Sequence, residues 1–177
     1  RMALILRDRF DSVEGLSGWN NNDYLVGAAK LLAGEGFSDA LTQDGVNRIT
    51  GLRELLNVAD SGVGSEVVFE SDVNGGGEII LGGVGSDTIR GNLGNDYIDG
   101  DAWLNVRISI RESKDGSGPE LATVDSLTSK ITAGGETPAA WVGKGLDELM
   151  RAGTINPGQL QAVREILNSD GSSNNAG

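Results

Sequence analysis

The sequence contains no cysteine and no histidine among its 177 residues. Without cysteine, no disulfide can stabilise the fold and no thiol can take part in chemistry. The nitrogen and sulfur ligands that zinc prefers are also missing. Any metal that this chain binds must therefore be held by oxygen atoms.

Basic residues and long apolar runs are scarce as well. Lys and Arg number 14 against 26 Asp and Glu, so the net charge is −12. That charge repels nucleic acid and anionic membranes. No run approaches the roughly 18 apolar residues of a membrane helix, and the apolar start at residues 1–7 is too short for a secretory signal. The abrupt start and the Ser/Asn/Gly-rich end favour a fragment of a longer parent chain.

Glycine is abundant, with 28 residues, and it is concentrated in a nine-residue repeat. Two complete repeats are in register, GGVGSDTIR at 82–90 and GNLGNDYID at 91–99, and Gly100 with Asp101 opens a third. One repeat earlier, residues 73–81 carry Gly76, Glu78 and Ile80 at the matching positions. We interpret 73–81 as a degenerate repeat that precedes two good ones.

The repeat has the form G-G-x-G-x-D-x-U-x, in which U is a large apolar residue. Its glycines let backbone carbonyls turn toward a common centre, to which the acid adds a carboxylate. The apolar residues Ile80, Ile89 and Ile98 are expected on very short strands, pointing inward. Hard oxygen donors in a flexible shell of roughly 6–8 ligands suit calcium better than magnesium. The pattern therefore predicts a calcium-binding parallel β-roll.

The alternative is a pair of Gly-Asn-Asp turns between ordinary strands, but two strict repeats and a third in register favour Ca2+. The predicted metal site consists of turn glycines, one asparagine and the nearby acids: Gly76, Glu78, Gly82, Gly83, Gly85, Asp87, Asn92, Gly94, Asp96, Asp99 and Asp101.

Each coil of a β-roll uses two repeats, so turns two repeats apart share an ion. On this geometry Asp96 pairs with the turn at Glu78, whereas Asp87 faces Asn105 on one side and Phe69 on the other. Asp87 is left with a half-site, and the candidates to complete it are Asp99, Asp101 and Asn105. The sequence thus predicts one or two ions. It also predicts that Asp96→Ala weakens calcium binding more than Asp87→Ala.

Residues 18–27, GWNNNDYLVG, resemble residues 91–100. We interpret them as another degenerate repeat, with Asp23 at the acid position and Leu25 inward. Two interpretations stay open for this segment: a further calcium turn, or a capping coil stabilised by asparagine side chains.

The flanking segments predict an α+β fold, in which the roll is joined by a β-hairpin and several short amphipathic helices. Apolar residues recur at helical spacing between positions 46 and 56, and they predict a helix whose candidate N-caps are Thr42 and Ser38. The alternation at 103–111 predicts a strand, and 121–124 its returning partner. Helices are predicted at 125–131, 138–150 and 157–167.

We expect one RTX-type domain over 1–177 with four parts. These are a cap of helices and degenerate repeats (1–65), the roll and hairpin (66–125), C-terminal helices (126–168) and a disordered tail (169–177). Because such short helices are marginal alone, calcium is expected to order the C-terminal part together with the roll, and magnesium much less.

The nonapeptides resemble those of RTX (repeats-in-toxin) proteins, which bacteria export by type I secretion. The flanks resemble the calcium-binding region that follows the catalytic domain in large bacterial haem peroxidases of the animal type. The resemblance covers about residues 10–168, with an insertion at 132–145. Its segments are VEGLSGW (13–19), IDGDAWLNVRI (98–108), VDSL (124–127), INPGQL (155–160) and VREIL (163–167).

The resemblance implies a secreted, monomeric, calcium-dependent folding and secretion module that contacts adjacent domains of its parent chain. It does not extend to peroxidase activity, because no histidine can serve as proximal haem ligand. One alternative is an interaction module that docks through residues 138–168 and the arginines of 103–111. The other is a self-processing segment built on the aspartates of the repeats, but the chain has no Asp-Pro bond, so we expect no catalysis.

Overall fold

The computed structural model describes residues 15–27, 41–69 and 77–173. Its class is α+β, as predicted, with parallel sheets and a few short helices. The strands are β1 (Gly15–Ser17), β2 (Tyr24–Val26), β3 (Leu41–Thr42), β4 (Val67–Phe69), β5 (Ile79–Leu81), β6 (Thr88–Arg90), β7 (Tyr97–Asp99), β8 (Trp103–Arg111), β9 (Glu120–Val124) and β10 (Leu160–Leu167). The helices are α1 (Gln43–Val46), α2 (Leu52–Leu55) and α3 (Leu146–Arg151), with 3₁₀ turns at Ala139–Trp141 and Pro157–Gln159.

The chain divides into two compact units. The first compact unit comprises Arg1–Leu104 and Ile166–Gly177, and the second comprises Asn105–Glu165. The sequence predicts one domain with four parts, and that division stays a prediction. Among the described residues, no helix is long and apolar enough to cross a membrane.

In the first compact unit, five short strands form two parallel sheets. One has the order β1-β5-β7, and in the other β2 pairs with β6. β5, β6 and β7 begin at positions 79, 88 and 97, so strands nine residues apart alternate between the sheets. We call residues 15–27 the first pass, 77–90 the second pass and 91–100 the third pass.

The eighth positions of the repeats differ in burial. Ile80 is fully buried, as predicted, Leu25 and Ile89 are half-buried, and Ile98 is 47% exposed. The inward prediction for Ile98 was therefore wrong. Within the described ranges, no strand continues the two-stranded sheet beyond β6, so no described strand covers this side of the third pass.

Two short helices cover the other face of the three-stranded sheet. Side chains alternate along a strand, so Ile79 and Leu81 lie opposite Ile80 and pack in a cluster with residues of α1 and α2. The cluster has these buried members: Val46, Leu52, Leu55, Leu81, Ala102 and Ile166. The Thr42 hydroxyl caps α1 by accepting the Gly45 N–H, as predicted. Residues 28–40, which belong to the predicted cap of helices and degenerate repeats, lie outside the described part of the chain.

The second compact unit is built on an antiparallel hairpin, as predicted. β8 pairs with β9 from Ile108–Val124 to Arg111–Glu120, and the sheet order is β10-β8-β9. A separate core packs on this sheet, and it includes these buried residues: Ile110, Ala122, Val124, Ile131, Trp141, Leu146, Leu149 and Ile155.

The helix predicted at 157–167 was wrong. Its start is as expected: Asn156 and Gln159 form a capping box around Pro157–Gln159. The chain then continues as strand β10, because the Gln159 amide donates to the Arg111 carbonyl at 2.8 Å and holds the segment beside β8. The predicted helical stripe of Leu160, Val163 and Leu167 is only half-buried, whereas Ile166 is buried.

Other C-terminal predictions were wrong as well. Residues 125–131 form turns without a helix, and the predicted helix 138–150 is broken. The Ile131 backbone explains the break, since it donates to the Lys144 carbonyl and accepts the Gly143 N–H. Residues 168–173 form a hydrogen-bonded turn where disorder was predicted, in which the Asn168 N–H donates to the Ser172 carbonyl. The remaining tail is outside the described residues.

Candidate metal centre

The turns of the first and second passes stack in backbone register. We call residues 18–23 and 82–87 the first turn pair. The Val84 N–H donates to the Trp19 carbonyl at 2.7 Å, and the Ser86 N–H to the Asn22 Oδ1 at 2.9 Å. These bonds place the acid positions of the two turns side by side.

Asp87 meets Asp23 in the first turn pair. The Asp23 N–H donates to the Asp87 Oδ1 at 2.8 Å, across 64 positions of the sequence. On the side where the repeat spacing predicted Phe69, the partner of Asp87 is therefore Asp23, and the pairing with Asn105 stays a prediction. The neighbouring turn on this side comes from the first pass, 64 positions earlier in the sequence.

The second turn pair consists of residues 77–78 and 91–96. The Glu78 N–H donates to the Asp96 Oδ1 at 3.1 Å, across 18 positions. The Tyr97 N–H donates to the Glu78 carbonyl at 2.8 Å. The structure thus brings Asp96 to Glu78 as the repeat spacing predicts, and the contact is of the same kind as the one between Asp23 and Asp87.

The second carboxylate oxygen of Asp87 is buried and has no hydrogen-bond partner among the described residues. It lies 2.8 Å from the point where a Cβ on Gly82 would stand. Asp23 has the same relation to Gly18, at 2.7 Å. Leaving a buried acceptor unpaired costs about 1–3 kcal/mol, so this oxygen is suited to a ligand that the protein itself does not supply.

The close stacking of the turns explains why two of the predicted turn positions require glycine. Gly83 and Gly85 have φ of +93° and +143°. A Cβ on Gly83 would stand 2.4 Å from the Trp19 carbonyl oxygen, and one on Gly85 2.3 Å from that of Asn21. Larger residues at either position would push the passes apart.

Two other predicted site residues, Asn92 and Asp99, form side-chain hydrogen bonds with backbone groups. The Asn92 amide donates to the Gly27 carbonyl at 2.9 Å. The Asp99 Oδ1 accepts the N–H groups of Asp101 and Ala102, each at 2.9 Å, and so closes the turn after the repeats. The side chain of Asp101 is exposed.

Two predicted glycines remain. Gly94 has a left-handed φ of +104° within the turn 91–96. Gly76 lies outside the described residues.

Each turn pair contains two acidic residues, and the backbone carbonyls of its turns are the other oxygen donors. Within the described residues, no three acidic side chains gather closely enough to hold a metal by themselves. A cation here would need both donor types, which is a set that calcium accepts. The fit is therefore to an ion that binds through mixed oxygen ligands.

Tyr97 links the second turn pair to α2. Its hydroxyl donates to the Leu55 carbonyl. Burial, and then the negative charge of Asp99, raise the pKa of the Tyr97 hydroxyl. The sequence indicated Tyr97 only as a strand residue, since nothing in the repeat predicts a contact with a distant helix.

Sequence reasoning left Asp23 outside the predicted site, although GWNNNDYLVG resembles GNLGNDYIDG. Because residues 28–76 separate the two segments, the nine-residue period does not predict that Asp23 lies beside Asp87. Comparisons of the chain with protein-family models, curated proteins and solved structures find no match.

Proposed function

We propose that this chain is a calcium-binding module of a larger exported bacterial protein, in which calcium drives folding after secretion. The observation that carries the proposal is the recurrence of one contact. In both turn pairs, the N–H at the acid position of one pass donates to the carboxylate of the next. Two equivalent carboxylate pairs, 64 and 18 positions apart in sequence, indicate a repeated binding geometry.

The alternation of nine-residue strands between two parallel sheets is the arrangement expected of a β-roll. Together with the resemblance to RTX proteins, it supports calcium as the ion. Asp23 and Asp87 would contribute to one site, and Glu78 and Asp96 to the other. The carbonyls of the glycine-rich turns would complete each shell.

The proposed mechanism depends on charge. The chain has a net charge of −12, and stacking its turns pairs Asp23 with Asp87 and Glu78 with Asp96. Without a cation, this proximity opposes stacking. A calcium ion that binds only the stacked form stabilises it, by about 2.7 kcal/mol when free calcium is 100 times the Kd. Low cytosolic calcium would thus leave the passes apart, and the higher extracellular concentration would order them.

Native mass spectrometry of the chain titrated with calcium tests the proposal. We expect two ions per chain and a gain of β-structure by circular dichroism, with little response to magnesium, which keeps its waters and its octahedral geometry. Asp87→Asn and Asp96→Asn should each remove one ion. The sequence predicted that substitution of Asp96 weakens calcium binding more than substitution of Asp87, because only Asp96 had an acidic partner. Since Asp87 has an acidic partner in Asp23, we now expect similar losses for the two substitutions. A chain that binds no calcium would refute the proposal.

An interaction module is the second candidate, in which an adjacent domain of the parent chain docks on the two-stranded sheet. The observation in its favour is a sheet face that no described residue covers fully. Tyr24 is 61% exposed and Val26 is 39% exposed on β2, and Arg90 of β6 lies 5.6 Å from the Tyr24 ring centroid. In the full parent protein, hydroxyl-radical oxidation of Tyr24 should fall below that in the isolated chain. Equal oxidation in the two would contradict the docking.

A further inference from the structure

The first pass is attached to the second across a long excursion of the chain. Three of its N–H groups donate to the second pass, each at 2.8 Å. The Gly18 N–H donates to the Leu81 carbonyl, the Gly27 N–H to the Arg90 carbonyl, and the Asp23 N–H to the Asp87 carboxylate. Every one of these bonds joins a residue before position 28 to a residue after position 76.

We propose that calcium at the first turn pair acts as a clasp, which docks the first pass onto the edges of β5 and β6. This inference rests on the proposed function, but it goes further. It assigns different tasks to the two sites. The site at Asp23 and Asp87 closes the excursion, whereas the site at Glu78 and Asp96 stabilises repeats that already follow one another.

The entropy of loop closure separates these tasks. Closing a flexible loop costs free energy that grows with the logarithm of its length. The second and third passes are consecutive, so their turns are close in the chain before they stack. Residues 28–76 separate the first pass from the second, so docking the first pass closes a longer loop and costs more entropy. Its docking therefore needs a larger stabilising contribution.

The first pass is held mainly by backbone hydrogen bonds. β1 and β2 are three residues long, and each pairs along a single edge with the strands that the structure describes. Leu25 is half-buried, while Tyr24 and Val26 are exposed, so little apolar surface stabilises β2. Strand pairs this small are marginal without further support. The buried Asp87 Oδ2, which no described residue contacts by a hydrogen bond, is free to bind an ion that would supply that support.

The helices of the excursion have an anchor of their own. Val46, Leu52 and Leu55 pack in one cluster with Leu81, and the Ile166 N–H donates to the Thr50 carbonyl at 2.7 Å. The clasp therefore concerns the first pass, and α1 and α2 should stay in place when it opens. Opening would uncover the edges of β5 and β6, whose unpaired backbone groups could then pair with another strand.

Amide hydrogen exchange on the full chain, with calcium and with chelator, tests the clasp. One set of reporters crosses the clasp: the N–H groups of Gly18, Asp23 and Gly27. The control set joins the second and third passes: the N–H groups of Glu78, Gly82 and Tyr97. In the unmodified chain, calcium should slow exchange in both sets.

Two matched variants separate the sites. Asp87→Asn keeps an oxygen that can accept the Asp23 N–H but removes the charge that an ion needs. It should speed exchange of the first set in calcium by roughly tenfold or more and leave the control set slow. Asp96→Asn should do the reverse. If Asp87→Asn also unfolds the control set, Asp23→Asn provides the same test from the other turn.

The outcomes distinguish the two proposals. If calcium slows neither set in the unmodified chain, the proposed function fails and the clasp fails with it. If calcium slows both sets but the Asp87 and Asp23 variants keep the first set slow, calcium binding stands and the clasp is refuted. Selective loss of protection at Gly18, Asp23 and Gly27 supports the clasp.

Discussion

At the scale of the residue, glycine determines how closely two turns of the first turn pair can stack. The Trp19 carbonyl accepts the Val84 N–H at 2.7 Å, and the backbone of Gly83 passes directly beside that carbonyl. A side chain at this position would meet rigid backbone, which cannot move aside as a flexible side chain can.

Gly83→Ala should therefore lower the free energy of unfolding, measured by urea denaturation in calcium. The control is Gly62→Ala, at φ +70° with no atom within 4 Å of the added Cβ. The control carries only the strain of a left-handed alanine, about 1–2 kcal/mol. Gly83→Ala adds an overpacking cost of roughly 1–3 kcal/mol to that strain. Equal losses in the two variants would show that the turns do not stack as described.

Tyr97 gives a prediction about pH. The pKa of its hydroxyl is raised above the ordinary value of 10.0, first by burial and then by Asp99. A raised pKa in the folded state means that ionisation favours unfolding. The associated stability is thus complete below about pH 10 and is lost as pH rises through the folded-state pKa.

Tyr97→Phe should cost about 1 kcal/mol at pH 8, because the hydrogen bond to Leu55 is lost. Between about pH 9 and pH 11, the variant should lose less stability than the unmodified chain, since it has no phenol to ionise at this position. Urea unfolding across this range measures both effects. Tyr24→Phe, at an exposed tyrosine, is the control, and an identical pH profile for the Tyr97 and Tyr24 variants would contradict the role of Tyr97.

At the scale of the element, β10 shows where local sequence signals stop being sufficient. Asn156, Pro157 and Gln159 form the predicted capping box, because that motif is satisfied within a few residues. The conformation of the next residues depends on β8, a strand far away in sequence, where the Arg111 carbonyl accepts from the Gln159 amide. Spacing alone could not distinguish a helical stripe from a strand with one buried residue.

Alanine substitutions in β10 should follow the burial of a strand. Ile166→Ala should lower the free energy of unfolding by roughly 2–5 kcal/mol, as truncation of a buried isoleucine does. Val163→Ala, at a half-buried position of the same strand, should cost clearly less. A helix with Leu160, Val163 and Leu167 inward would give the opposite order, so thermal denaturation of the two variants decides between the structures.

At the scale of the whole molecule, the sequence predicts only those contacts of the candidate site that lie within uninterrupted repeats. Glu78 and Asp96 meet because uninterrupted repeats fix their spacing. Asp23 and Asp87 meet across an excursion whose length does not follow the period, so the repeat could not reveal their register. The alternation of Trp103–Arg111 likewise predicted a strand correctly, while the fit of its neighbours depended on pairings that no local pattern contains.

The second compact unit, Asn105–Glu165, contains no residue of either turn pair. Its core has its own buried side chains, with Ile110 and Leu146 both fully buried. Its irregular segments are held by backbone bonds that need no ion, including Ile131 N–H to Lys144 at 2.9 Å and Asp147 N–H to Leu127 at 2.8 Å.

These features change the expectation that calcium orders the C-terminal part together with the repeats. We now predict that the Ile131 and Asp147 amides exchange equally slowly in calcium and in chelator, because opening them requires disruption of the second core and no rearrangement of the turns. The Asp23 amide, measured in the same samples, should respond strongly to calcium and little to magnesium. If calcium slows exchange at Ile131 and Asp147 as much as at Asp23, the two compact units fold in one cooperative transition, and ion binding at the turns stabilises the entire chain.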